Sequence, residues 1–80
     1  MRLLRVREAL DKKKIPFTYT EEDSCGSLDF IFRGLPYHVW EYCDTVWGAE
    51  TNVFDVGRSV DIEGDYEEKI AAHILTWPDM

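Results

Sequence analysis

The chain has 80 residues and a formal net charge of −7, a length at which folding buries about 60–65% of the surface of the unfolded chain and leaves room for one core and a single domain, 1–80. Three Trp, four Tyr and four Phe supply that core, each burying about 150–250 Å². The charged opening Met1-Arg2-Leu3-Leu4-Arg5 excludes a secretory signal, no stretch nears the ~20 apolar residues of a membrane span, and Cys25 and Cys43 lack C-x-x-C spacing, so a soluble cytoplasmic protein with free thiols is expected.

In chain order, Leu3, Val6 and Leu10 recur at helical spacing between Arg2 and Lys14, with Leu4 and Ala9 widening the stripe and Pro16 forbidding continuation. This helix is basic: the first fourteen residues carry +4, leaving −11 on the rest. The lysines Lys12 to Lys14 suit the negative end of the helix dipole. Phe17 and Tyr19 alternate with threonines as a first strand, and the run from Glu21 to Ser27 reads as an acidic turn. Leu28, Phe30 and Phe32 then alternate with Asp29, Ile31 and Arg33, marking a strand with one apolar face.

Gly34-Leu35-Pro36 reads as a reversal into a hairpin strand, 37–43. Its inward face is open between Tyr37, Val39, Glu41 and Cys43 and the alternative His38, Trp40 and Tyr42. Val46 to Phe54 supplies a fourth strand with a bulge or close approach at Gly48. Asp55 to Gly64 reads as loop with a short extended piece at Val60 and Ile62. Asp65 with Glu68 forms a capping-box pattern, and Tyr66, Ile70, Ile74 and Trp77 stripe the helix that Pro78 ends. The expected fold is α+β in two layers: an antiparallel meander of three or four strands with both helices on one face, α-β-β-β-(β)-α.

The candidate binding residues are Trp40, Glu41, Trp47, Glu50, Asn52 and Arg58, where aromatic surface, two carboxylates, an amide and a guanidinium gather near strand ends. The plainer reading places both tryptophans in the core and pairs Glu50 with Arg58. Glu41 and Glu50 also have the chemistry of an acid and base pair for a small hydrolase or transferase, although nothing in their spacing requires it. Cys25, His38, Glu41, Cys43 and His73 offer metal-binding atoms without a closed zinc spacing, so no metal is expected. The ordinary reading puts His38 in solvent or on an aromatic ring and His73 at the helix interface. No P-loop or dinucleotide glycine pattern is present, and no cofactor is expected.

Trp40-Glu41, Trp47-Gly48-Ala49-Glu50-Thr51-Asn52, Gly57-Arg58 and Gly64-Asp65-Tyr66-Glu67-Glu68 resemble a group of small uncharacterised bacterial proteins across most of the chain. Some of that group carry a kinase label, which the resemblance extends to no residue here: a glycine-rich loop, a catalytic-loop Asp and a Mg-binding motif are all missing.

The sequence therefore points to a non-enzymatic binding or regulatory module that meets a protein partner, or its own copy as a homodimer, rather than a small molecule. The sites on offer are the 40–58 surface and the sheet face turned away from the helices. The acidic body opposes direct nucleic-acid binding. It equally suits an acidic inhibitor, of phage or mobile-element type, seated on a basic nucleic-acid-binding enzyme.

Overall fold

In the computed structural model, which describes residues 1–55 and 57–78, the chain runs α1 (Leu4–Lys12), β1 (Phe17–Glu22), β2 (Cys25–Phe32), β3 (Leu35–Cys43), β4 (Trp47–Thr51), β5 (Val60–Glu63) and α2 (Tyr66–Leu75). The strands form one antiparallel sheet in the order β1-β2-β3-β4-β5. This is the expected α+β layout, with the optional fourth strand and the short 60–63 piece both paired into the sheet. Val56, inside the expected Asp55–Gly64 loop, lies outside the described residues.

Helix α1 is shorter than its apolar stripe suggests because both ends are fixed by backbone geometry. At its start Leu3 adopts a left-handed φ of 56°, which turns its side chain into the core at zero exposure. At its end Lys14 is left-handed (φ 58°), and the amides of Lys14 and Ile15 donate to the carbonyls of Asp11 and Leu10. That is a Schellman closure with lysine in the glycine position, and the buried Ile15 supplies its hydrophobic contact.

Both reversals are shorter than the stretches assigned to them, Glu21 to Ser27 and Gly34 to Pro36. Pairing continues to Glu22 and Cys25, so the first turn is only Asp23-Ser24, both at positive φ. Phe32 pairs with Leu35, so the second is Arg33-Gly34, again with two positive φ values, the pattern whose twist matches paired strands. Pro36 therefore lies inside β3. It is tolerated because β4 begins pairing only at Val39, and beyond that point the Asn52 side chain stands in for the missing strand. Asn52 accepts from the His38 amide at 2.9 Å and donates to the Pro36 carbonyl at 3.1 Å.

Leu28, Phe30 and Phe32 turn toward both helices, joining Tyr37, Val39, Ala49, Val6, Leu10, Ile70 and Ile74 in one buried cluster. Trp77 stacks on Phe32 with ring centroids 4.7 Å apart, closing the end of α2 onto the sheet. The open choice of faces in β3 is settled: Tyr37, Val39 and Glu41 are buried, and Trp40 is exposed. The capping box at Asp65 is not formed, since Asp65 makes no side-chain cap bond. Its acidic neighbours serve α1 instead: Glu67 accepts from the Arg5 amide at 3.2 Å and Glu68 pairs with the Arg5 guanidinium at 3.2 Å. Helix α1, which has no acidic residue in its own first turn, is thus capped from α2.

Candidate functional site

The six residues singled out in the sequence do not form one site. Glu41 points inward with a side chain of zero exposure, and its oxygens are fully engaged. Oε1 accepts from Arg2 Nε at 3.0 Å and from the Gly26 amide at 2.9 Å; Oε2 accepts from Arg2 Nη2 at 3.1 Å and from the Tyr66 hydroxyl at 2.5 Å. A buried carboxylate is tolerable only when paired and hydrogen-bonded. Here four segments of the fold converge to do that. The bond to Glu41 raises the Arg2 pKa further, and burial, then the hydroxyl's own bond to Glu41, hold Tyr66 well above its ordinary range.

Trp47 borders this network without being core: it is 40% exposed, with the Arg2 guanidinium 4.2 Å from its ring centroid. Gly26 makes room for the arrangement: a Cβ there would sit 3.0 Å from Arg2 Cβ and 3.1 Å from the Tyr19 ring. Sequence reasoning missed Arg2, Gly26 and Tyr66 as the partners of Glu41. The available signal was a lone glutamate in register with Tyr37 and Val39. Asn52 extends the sheet, and Arg58 lies exposed in the β4–β5 connection, where its backbone amide closes a turn onto Asp55.

Trp40 and Glu50 are on the other face, which carries no helix. The register places Trp40 opposite Glu50, and Glu50 opposite Asp61. Trp40 is not core: it is 42% exposed, with its indole N–H donating to Asp29 at 3.3 Å and the His38 ring 4.2 Å from its own. Glu50 pairs not with Arg58 but with His38, at 3.5 Å. Tyr42 completes the row along β3 and covers Gly48, where a Cβ would come within 2.7 Å of its ring and hydroxyl. Burial, then the charges of Asp61, Glu63, Asp44 and Glu50, raise the Tyr42 pKa.

At the β1–β3 end this face runs into an open groove of about 460 Å³, bordered by Pro16, Thr18, Asp29, Ile31 and Pro36. Ile31 is 65% exposed there.

The catalytic arrangements considered from the sequence do not assemble among the described residues. Glu41 and Glu50 occupy opposite faces, so the acid and base pair of a hydrolase or transferase does not assemble. Ser59 Oγ lies 3.0 Å from His38 Nε2, but Glu50 approaches that same nitrogen, whereas a relay needs the nucleophile and the acid on different ring nitrogens. Cys25 and Cys43 are free, and burial, followed by the charge of Glu41, pushes the Cys25 thiol up, away from reactivity. Among the described residues no group of three His, Cys, Asp or Glu side chains is arranged for a metal, and no helix is long and apolar enough to cross a membrane. No family model matches the chain, and neither a curated protein nor a solved structure does.

Proposed function

We propose that the protein is a non-enzymatic binding module that docks a basic segment of another protein on its outer sheet face. The observation that carries this reading is the row His38, Trp40 and Tyr42 on the central strand, flanked by Asp29 on one side and by Glu50, Asp61 and Glu63 on the other. Exposed aromatic surface supplies contact area, and the surrounding carboxylates select for cationic groups. The adjoining groove, with Ile31 at its border, offers a seat for an apolar side chain of the same segment.

Charge complementarity also favours this occupant over the others. Two copies meeting through this face would bring Glu50, Asp61 and Glu63 against like carboxylates, a juxtaposition that costs several kcal/mol. Nucleic acid would bring phosphates to the same ring of charge. A basic polypeptide meets neither obstacle.

The test is fluorescence anisotropy with a labelled cationic peptide and an anionic peptide of equal length. The reading expects the cationic peptide alone to bind, with affinity falling as salt rises. Binding of both peptides, or of neither, overturns it.

A further inference from the structure

We infer that Trp40 and Glu50 form a subsite for an arginine side chain of that segment; the inference rests on the reading just given and narrows it. The molecule already shows how it holds a guanidinium. On the inner face Arg2 lies over the Trp47 indole at 4.2 Å while its edge forks onto Glu41 through two bonds of 3.0 and 3.1 Å. An indole below the plane and a carboxylate at the edge together satisfy a flat cation.

The outer face presents the same two parts on the same two strands with their positions exchanged. Inside, the carboxylate is on β3 and the indole on β4; outside, Trp40 is on β3 and Glu50 on β4. Residues directly opposite in an antiparallel pair have Cβ atoms about 4.5–5.5 Å apart, close enough for one guanidinium to meet both. Among the described residues Glu50 is approached by His38, at 3.5 Å, and by no lysine or arginine, and its side chain is 43% exposed. The indole is held in place by Asp29 at its N–H and by the His38 ring, which packs over one of its faces at 4.2 Å, so little ordering is needed when a guanidinium stacks on the opposite face. A lysine would gain the charge attraction but has neither a planar face to stack nor a fork to match a carboxylate.

The experiment measures affinities of three extended peptides identical except for a central Arg, Lys or citrulline. Arginine is expected to bind about tenfold more tightly than lysine, through its stacking and bidentate pairing, and citrulline more weakly than either. Trp40→Ala and Glu50→Gln are each expected to bring arginine down to the level of lysine, with dispersed amide spectra confirming that both variants stay folded. Equal binding of arginine and lysine by the unmodified protein, or an arginine preference that survives both substitutions, overturns the subsite while leaving the basic-partner reading standing. Failure of all three peptides to bind removes both.

Discussion

Glu41 and Glu50 sit on neighbouring strands and on opposite faces of the sheet, the first sealed among four donors and the second half-exposed beside His38. The contrast divides the molecule's carboxylate chemistry into a part that holds the fold and a part that faces outward. The two should differ sharply in what their loss costs the fold.

Glu41→Ala leaves the Gly26 amide, the Tyr66 hydroxyl and the Arg2 guanidinium without their acceptor. A cost of about 3 kcal/mol is expected, toward the lower end for a broken buried pair because Arg2 retains 38% side-chain exposure. Glu50→Gln should stay within about 0.5 kcal/mol of the parent, as an exposed substitution does. Urea unfolding of the two variants side by side checks both values.

Gly48→Ala is expected to destabilise by about 1–3 kcal/mol through overpacking. Its Cβ meets the Tyr42 ring at 2.7 Å and the Ile62 carbonyl on β5 at 2.9 Å. Tyr42 can swing away, whereas the strand cannot. In a Tyr42→Ala background the glycine substitution should therefore still cost stability in a thermal melt, and a cost that vanishes there would contradict the close β4–β5 approach.

Ser24 holds a φ of 67° in a two-residue turn that contains no glycine. Ser24→Gly relieves a left-handed conformation that costs a side-chain-bearing residue about 1–2 kcal/mol, partly offset by the greater freedom of glycine in the unfolded chain. A net gain of about 0.5 kcal/mol is expected from chemical denaturation. Gly34→Ala, at φ 80° in the other tight turn, should shift stability in the opposite direction.

Stability should fall on the alkaline side, with Tyr66 contributing alongside Tyr19, Tyr42 and Cys25, whose pKa values are also raised in the fold. The folded-state pKa of Tyr66 is raised by burial and by the bond to Glu41, so above the unfolded value of about 10 the unfolded chain loses this proton first. The contribution is complete below that pH and is lost as pH climbs toward the folded pKa. Tyr66→Phe should flatten this slope in denaturation curves collected at successive alkaline pH values. An unchanged slope would contradict the assigned role.

The fold was legible where period and punctuation agreed. Leu28, Phe30 and Phe32 declared their face by simple alternation, and Pro16 and Pro78 bounded the helices. The inward face of β3 was not legible, because its true register buries a glutamate while exposing a tryptophan. The arrival of Arg2, Gly26 and Tyr66 from three other segments makes that arrangement favourable. The Asp65 and Glu68 pattern misled for a related reason: its acidic residues are consumed by Arg5 across the helix pair, a tertiary use that local spacing does not reveal. Of the candidate residues, Trp40 and Glu50 fall on the outer face, joined by His38, Asp29 and Tyr42. Ser59 and Asp61 carried no local signal and reach this surface only through the pairing of β5 with β4.

The most direct test of the account is an amide and indole chemical-shift map of the ¹⁵N-labelled protein titrated with the arginine-bearing peptide. The largest changes should fall at the Trp40 indole and at the amides of His38, Trp40, Tyr42, Glu50 and Asp61. Changes centred on the paired helices, or on Arg2, Glu41 and Tyr66, would contradict it.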